Sequence, residues 1–462
     1  MQLYSDVRDM IDHLQAIRTA ERTDEHVLDE ADIRALPNGF EEAARNSAFD
    51  TAAAILPGRR SFISLMCFTA WSAGASDPRD KIYAIRNLSY EYESRDTYIP
   101  RPDYTIAWQD LYIKVTRDHI RHEVKSGIGI DLSLLLHCAG LSNQDKNIHL
   151  PSWVPDWREF YVTVFRLFNR RNAGGSERCK FTTEQLPRKQ RTALSRLMNP
   201  NNPDICYRHP TRAVALRVTT RLSHSIMDIS GYDSDLYYRN KMPTQNSRFW
   251  SLDEEAMRVI VKHSDDHYVT GQTIADAYAH VLVGGMGSED RPMNHVSVLT
   301  QLQSCRQWFR DGAKGEPPAY MRWLKETMVF SLSKVCITRS GLLCLVPQMC
   351  LAGDVVAVIR GTKRPVVLRP VLDNSYQLIG GCYVHGFMEN QASLLVDEYK
   401  IKVKPDGTRS WRPEGDMRRN GRNNVAEMCH GEWIVDDRIK QISVAKYAAL
   451  VNILGDRPVT LV

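Results

Sequence analysis

The chain has 462 residues, of which 43% are hydrophobic and 25% are charged, and its net charge is +5 from 60 basic and 55 acidic residues. This length and composition are typical of a globular protein with about two or three domains. This charge is too mild to indicate nucleic-acid binding, which usually involves a concentrated basic face, so we expect no nucleic-acid partner.

The chain lacks the patterns of secreted and membrane proteins. Asp6, Asp9 and Asp12 interrupt the first segment, which therefore has no apolar core of a signal peptide. The longest apolar stretch, 342–359, contains Pro347 and Gly353, so it predicts two strands and a turn rather than a membrane span. The ten cysteines form no C-x-x-C pair, which is typical of reduced thiols in a cytosolic protein. We expect a cytoplasmic location.

The N-terminal part, 1–168, is predicted to be helical. Apolar residues recur at helical spacing within 7–17, and the stretches 40–56 and 62–71 favour two further helices. A longer helix is predicted after Thr105, with Leu111 among the residues of its apolar face.

The segment Asp77-Pro78-Arg79-Asp80-Lys81-Ile82-Tyr83-Ala84 places several charges around a proline. Asp77 can cap a short helix in which Pro78 occupies the first position. One interpretation is therefore a capped helix start in which Arg79 and Asp80 make structural hydrogen bonds. The other is a switch or partner surface. Charged helix starts are common for capping reasons, which favours the structural interpretation.

The stretch 169–204 is the best linker candidate, because it combines Gly174-Gly175 with basic clusters and two prolines. The region 205–462 is predicted to mix helices and strands. Within it, 334–388 alternates short Val-, Ile- and Leu-rich segments with Gly and Asp-Asn turns. The expected fold class is α+β, with a helical N-terminal part and a C-terminal part that carries a small antiparallel, barrel-like sheet plus helices.

Two groups of histidines could carry chemistry. His263 and His267 lie one helical turn apart, a spacing that can chelate a metal, but Ser264 stands where a metalloprotease needs Glu. His385 follows a predicted strand and precedes Gly386, so its ring could line a pocket; the alternative is a core histidine held by one backbone carbonyl. We predict no catalytic, cofactor-binding or metal-ligating residue and no cofactor.

Five sequence patches occur in the order found in one protein family. They are Asp77 to Ala84, Pro102-Asp103-Tyr104, Leu150 to Trp157, the Gly353-Asp354-Val355-Val356 segment, and Arg364 to Met388 with its Tyr383-Val384-His385-Gly386-Phe387-Met388 end. Together they resemble the region downstream of the HET domain in fungal heterokaryon incompatibility proteins. The resemblance implies a role in self/non-self recognition and cell death through binding of other proteins.

The resemblance also selects signature residues with a structural or interaction role. They are Asp77, Pro78, Arg79, Asp80, Lys81, Tyr83, Gly353, Asp354, Arg369, Tyr383, His385 and Gly386. Members of this family normally begin with a TIR-like HET domain, and its motifs do not occur before Asp77. We therefore expect either a truncated gene product or a degenerate paralogue.

Three functions compete. The first is a non-catalytic incompatibility-type regulator or interaction module, and the second is an NAD-consuming TIR-like effector enzyme. The missing upstream motifs disfavour the second. The third is an auxiliary protein encoded in a biosynthetic gene cluster.

Overall fold

A computed structural model describes the chain in segments. These are 62–68, 75–89, 91, 97–126, 135–136, 138–140, 150–158, 181–198, 212–229, 253, 256–260, 268, 272–285, 298–312, 314–320, 333–362, 364–372, 374–388, 399–403, 409–413, 428–429, 432–435, 439–443 and 457–462. The helices predicted at 7–17 and 40–56 lie outside the described residues.

The chain divides into two compact units. The first contains 1–168, 181–216 and 461–462, and the second contains 169–180 and 217–460.

The first unit is mainly helical in its described part. Its elements are α1 (Phe62–Phe68), α2 (Asp80–Tyr83), a short 3-10 helix (Arg86–Leu88), α3 (Trp108–Ser126), β1 (Thr182–Gln185) and α4 (Arg188–Met198). Leu111, Tyr112 and Val115 are completely buried on one face of α3, as their helical spacing predicts.

The expected linker contains ordered structure. Strand β1 and helix α4 both fall within 169–204, so 181–198 has regular secondary structure. Arg188, Lys189 and Arg196 lie on the exposed side of α4, whereas Leu194 is buried. The basic cluster that includes Arg188 and Lys189 therefore lies on the solvent face of an amphipathic helix.

The second unit combines two described helices with most of the strands. Its elements are α5 (Ile274–Leu282), α6 (Val298–Arg310), β3 (Ser333–Thr338), β4 (Leu343–Pro347), β5 (Val355–Ile359), β6 (Val366–Leu372), β7 (Ser375–Gly381), β8 (Tyr383–Val384), β9 (Tyr399–Val403), β10 (Arg409–Pro413), β11 (Met428–Cys429), β12 (Glu432–Val435) and β13 (Ile439–Ser443). Strand β2 (Val214–Ile229) precedes these elements in the chain, and strand β14 (Arg457–Leu461) follows them. Each of these two strands has residues in both units.

The main sheet follows the strand order β14-β7-β6-β5-β2-β3-β4-β8, with β14 pairing additionally with β2 and β1 also pairing with β2. Six strand pairs among β2 to β8 have a defined register: β2–β3, β2–β5, β3–β4, β4–β8, β5–β6 and β6–β7. All six are antiparallel. Among the described strands, β14 and β8 do not pair with each other, so this path is barrel-like rather than closed end to end. The predicted α+β class with a C-terminal antiparallel, barrel-like sheet is confirmed.

Local turns set the register of this sheet. Asn374 adopts a φ of 51° between β6 and β7, in the predicted Asp-Asn turn. The neighbouring strands β3, β4 and β5 are almost entirely buried. Their continuous apolar composition therefore reflects burial on both faces.

The described helices leave no candidate for a transmembrane segment, since none of them is both long and apolar enough to cross a membrane.

Candidate functional site

The Asp77 segment is held by a charged pair within the segment itself. The Asp77 carboxylate accepts hydrogen bonds from the Arg79 backbone N–H at 2.9 Å and from Arg79 Nε and Nη2 at 2.9 and 2.6 Å. These bonds hold the pKa of Asp77 below its usual value. The same guanidinium donates to the carbonyl oxygens of Tyr104 and Ile106. Arg79 thus ties the segment to the start of the next helix.

The predicted helix start needs a correction. Helix α2 begins at Asp80, and Arg79 rather than Asp77 occupies its N-cap position. The backbone N–H groups of Asp80 and Lys81 bond to the carbonyl oxygens of Asp77 and Pro78, so a tight turn precedes the helix. Asp77 still satisfies a backbone N–H near the helix start, but much of its carboxylate is engaged by the Arg79 side chain.

An exposed aromatic side chain lies over this turn. Tyr104 is 54% exposed, and its hydroxyl donates to the Asp80 carboxylate at 2.6 Å, which raises the pKa of Tyr104 to about 12. Its ring meets the Tyr83 ring edge-on at 5.4 Å, and the Arg79 guanidinium lies 5.2 Å from its centroid. The Tyr83 hydroxyl donates to the Asp103 carbonyl at 2.9 Å. The charged residues of the signature therefore fix the position of Tyr104.

The remaining signature residues of the first unit face inward. Lys81 is 4% exposed, and burial lowers its pKa while the nearby Asp156 carboxylate opposes that change. Asp156 is 1% exposed and pairs with Arg158 at 3.2 Å. The Tyr112 hydroxyl donates to the Pro78 carbonyl at 2.8 Å. The structure thus brings two of the family-like sequence patches together, around a structural cluster of charges.

In the second unit, Asp354 and Arg369 form a bidentate pair. Asp354 is 3% exposed, and its two carboxylate oxygens accept from Arg369 Nε and Nη2 at 2.9 Å each. Asp354 also accepts from the Leu351 backbone N–H at 2.9 Å, and Arg369 Nη2 donates to the Met349 carbonyl at 2.8 Å. We call this arrangement the Asp354–Arg369 brace. It fixes both sides of the loop 348–354, which we call the β4–β5 loop.

Gly353 completes this loop. Its φ is +95°, and a Cβ built at this position would meet nothing within 4 Å. The backbone conformation, rather than lack of space, therefore favours glycine. The Asp354 N–H bonds to the Leu351 carbonyl, so the predicted Gly353-Asp354 turn before β5 is confirmed.

The third group of signature residues surrounds His385, which is 8% exposed. Its Nδ1 lies 2.9 Å from the Tyr383 hydroxyl, and its Nε2 lies 2.6 Å from Gln272 Oε1. The His280 ring stacks on the His385 ring with centroids 5.1 Å apart. The largely buried His385 ring therefore has a side-chain partner at each of its two nitrogens. Gly386 follows with a φ of 81° and turns the chain after β8.

Comparison with known protein families identifies part of this second unit. Residues 319–399 match the Het-6 β-barrel domain. This domain is found in fungal heterokaryon incompatibility proteins, which confirms the predicted resemblance in the C-terminal region. No curated protein and no solved structure matches the chain.

The segment that matches the Het-6 β-barrel domain contains six of the signature residues: Gly353, Asp354, Arg369, Tyr383, His385 and Gly386. Asp77, Pro78, Arg79, Asp80, Lys81 and Tyr83 lie outside the matched segment. The structure thus groups the signature residues into local networks within each unit.

Cysteine thiols are packed inside the segment that matches the Het-6 β-barrel domain. Cys336 and Cys344 are direct partners across β3 and β4, and Cys350 and Cys382 are also buried free thiols. Burial raises the pKa of all four thiols. A buried neutral thiol is a poor nucleophile, so these cysteines fit a packing role.

The metal-binding pattern considered in the sequence cannot be placed, since His263 and His267 lie outside the described residues. Within the described part of the chain, no group of three or more His, Cys, Asp or Glu side chains could hold a metal ion.

Sequence reasoning missed the partners of His385. The Tyr268 hydroxyl donates to the His385 carbonyl at 2.9 Å and accepts from the Leu343 N–H at 3.1 Å. Gln272 bonds to the ring itself. Both residues precede His385 by more than a hundred positions, and no local pattern marks them.

A buried polar cluster in the first unit was also missed. The Glu91 carboxylate accepts twice from the Phe62 backbone N–H, at 2.9 and 3.0 Å. The Tyr98 hydroxyl lies 3.3 Å from Glu91 Oε1 and 2.9 Å from His119 Nδ1. Complete burial lowers the pKa of His119 to about 3. His119 thus stays neutral at physiological pH and ties α3 to the residues before it.

Proposed function

We propose that the chain is a heterokaryon-incompatibility-type protein that works by binding other proteins. In this proposal it is a non-catalytic regulator or interaction module in fungal self/non-self recognition and programmed cell death, and it acts in the cytoplasm without a cofactor. The match of 319–399 to the Het-6 β-barrel domain supports the family-level part of this proposal.

The observation that carries the interaction role is the use of the signature residues in the Het-6 β-barrel domain. Asp354 and Arg369 bond to each other and to the backbone of the β4–β5 loop. That loop exposes Met349 and Leu351. Charged residues that position exposed apolar side chains suit a binding surface better than a reaction centre.

The buried cysteines support a reducing compartment. Cys138, Cys305, Cys336, Cys344, Cys350 and Cys382 are all buried free thiols. Cytoplasmic proteins keep their thiols in this state.

A genetic experiment tests the proposed biological role. The gene would be deleted in its fungal host, and the deletion strain paired with an incompatible strain. Death of fused cells, scored with a vital dye, should fall, and the wild-type gene should restore it. Undiminished death in the deletion strain would overturn the proposal. A changed small-molecule profile with intact incompatibility would favour the auxiliary role in a biosynthetic gene cluster.

A biochemical experiment separates the regulator from the NAD-consuming alternative. Purified full-length protein is incubated with NAD, and free nicotinamide is measured by chromatography. We expect no release above the blank. Release that is lost on substitution of one acidic residue would establish the enzyme instead, because NAD hydrolysis needs a positioned carboxylate.

A further inference from the structure

Helix α4 displays basic side chains on one exposed face. Side chains four positions apart along a helix lie one above the other, so this face consists of two neighbouring stripes. The first stripe contains Arg188, Thr192 and Arg196, and the second contains Lys189, Ala193 and Leu197. All of these residues are exposed except Ala193, which is partly exposed. Leu194 is buried on the other side of the helix. We call the two stripes the basic face of α4.

Acidic residues do not match the charge of this helix. Helix α4 contains four basic residues, Arg188, Lys189, Arg191 and Arg196, and no acidic residue. Glu184 is the only acidic residue of the described segment 181–198. Within the described part of the chain, none of the four basic side chains of α4 belongs to an ion pair. The positive charge of the basic face is therefore not neutralised by the part of the protein that the structure describes.

The stability of the helix does not explain these charges. Arg188 and Lys189 lie in the first turn, where the helix dipole disfavours cations, and that turn holds no acidic side chain. Arg188 and Arg191 are three positions apart, a spacing at which like charges repel each other. Only Arg196, in the last turn, is placed favourably with respect to the dipole. Three of the four cations therefore act against the local stability of α4.

An exposed leucine adjoins the cations. Leu197 is 57% exposed and follows Arg196 directly, at the end of the stripe that begins with Lys189. A single exposed leucine is ordinary on a protein surface. Here, however, it shares one helix face with three unmatched cations. A partner that satisfies the whole face must offer negative charge with an apolar layer next to it.

We propose that the basic face of α4 binds the surface of an anionic lipid bilayer. Arg188, Lys189 and Arg196 would contact the lipid headgroups, and Leu197 would enter the boundary between headgroups and acyl chains. Clusters of about four to eight Lys or Arg residues on an amphipathic helix are typical of binding to anionic lipids. This inference goes beyond the proposed function, because it concerns where in the cytoplasm the protein is held.

Other partners fit the face less completely. A second copy of the chain would bring two basic faces together, and like charges across an interface are unfavourable. A nucleic acid would supply phosphates but no apolar layer for Leu197. A protein segment would have to carry carboxylates at positions that match the fixed cations, whereas lipid headgroups diffuse and gather around the cations. The bilayer thus satisfies both parts of the face without a matched pattern.

Vesicle sedimentation with the full-length protein tests this proposal. Vesicles of phosphatidylcholine alone are compared with vesicles that also contain phosphatidylserine. We expect binding only to the vesicles with phosphatidylserine. This binding should weaken as the salt concentration is raised, because dissolved ions screen the attraction between exposed charges.

A charge variant with a matched control locates the binding. Each basic residue near an anionic surface strengthens binding by about fivefold, so Arg188→Gln, Lys189→Gln and Arg196→Gln together should weaken it by about a hundredfold. The control is Arg101→Gln, Lys314→Gln and Arg339→Gln together, which removes three other exposed cations and changes the net charge equally. The control should bind nearly as well as the wild-type protein. Because all six side chains are exposed, both variants should melt like the wild-type protein.

A second pair of variants tests the apolar part of the face. Leu197→Ser should weaken binding to phosphatidylserine vesicles at every salt concentration, because salt does not screen the burial of apolar surface. Leu351→Ser removes a comparably exposed leucine (56%) in the second unit, so it should leave vesicle binding unchanged.

Several results would overturn the proposal. They are absence of binding that depends on phosphatidylserine, equal losses in the two triple variants, and equal losses in the two leucine variants. Binding of an RNA oligonucleotide or of a polyglutamate peptide that requires the three cations, without vesicle binding, would instead assign the face to a nucleic acid or to an acidic protein. Loss of cell death in the gene deletion together with any of these results would leave the proposed function standing.

Discussion

The Asp354–Arg369 brace should dominate the stability of the β4–β5 loop, and Asp354→Ala tests this directly. The substitution removes the acceptor of two Arg369 N–H bonds and of the Leu351 N–H bond. Removing one partner of a buried ion pair costs about 3–5 kcal/mol. The Arg369 side chain is 25% exposed, so water recovers part of that loss. We expect a decrease of about 3 kcal/mol in the free energy of unfolding of the second unit.

The expected change is large enough for a melting experiment. For units of this size, about 1 kcal/mol corresponds to about 2–4 °C, so the melting temperature of the second unit should fall by about 6–12 °C in calorimetry. Asp354→Asn should lose about half as much, because its amide oxygen can still accept from Leu351. Arg339→Ala, which removes an exposed arginine between β3 and β4, is the control and should melt like the wild-type protein.

A double-mutant cycle decides whether the two side chains act as a pair. Asp354→Ala leaves a half-buried guanidinium without its carboxylate, whereas Asp354→Ala combined with Arg369→Met removes both charges. The double variant should therefore be more stable than the sum of the single changes predicts, by about 0.5–3 kcal/mol. Strict additivity, or an Asp354→Ala melting temperature equal to that of the control, would refute this account of the brace.

Three further predictions concern other parts of the chain. Burial lowers the pKa of His119 to about 3, so below pH about 6.5 the unfolded state binds more protons than the folded state. The free energy of unfolding should therefore fall by up to about 1.4 kcal/mol per pH unit between pH 6 and 4. Urea denaturation at several pH values should show a weaker dependence of this free energy on pH in His119→Phe. Val356→Asp would bury an unpaired charge at a position with 0% exposure and should cost several kcal/mol, and unchanged melting would contradict the strand register. Asp77→Ala should cost about 1 kcal/mol, and Asp77→Asn less, because the amide can still accept from the Arg79 N–H. Lost cell-death activity in Asp77→Asn without any change in melting would instead assign Asp77 to a partner surface.

The strands that local pattern could identify are those joined by short turns. Apolar composition and turn residues predicted a strand-rich unit over 334–388, and β3 to β8 fall within 333–384. The positive φ values of Gly353 and Asn374 explain why turns occur there. Strands β2 and β14 join the same sheet from distant parts of the sequence. Strand β2 lacks a continuous local signal, because it runs through polar residues such as His224 and Ser225 that break the apolar alternation.

The family resemblance named signature residues in the sequence, but it did not indicate which of them are in contact. Asp354 and Arg369 were both selected as signature residues, yet 15 positions separate them in the sequence. Neither the spacing of residues along a helix nor the alternation along a strand implies that they are in contact. For the same reason the bond between His385 and Gln272, across 113 positions, had no signal. Such pairs are set by sheet register and helix packing, which depend on the whole unit.

The chemistry of the brace explains why charged signature residues occur in an otherwise apolar, barrel-like sheet. A buried carboxylate is stable only with nearly all of its hydrogen-bonding capacity satisfied, and Asp354 meets this condition through Arg369 and the Leu351 N–H. A sheet under selection for stability alone could replace the pair by apolar side chains at little or no cost. The pair instead holds a turn that leaves Met349 and Leu351 in water. Exposure of these side chains does not favour folding, so their fixed display is consistent with the interaction role proposed above.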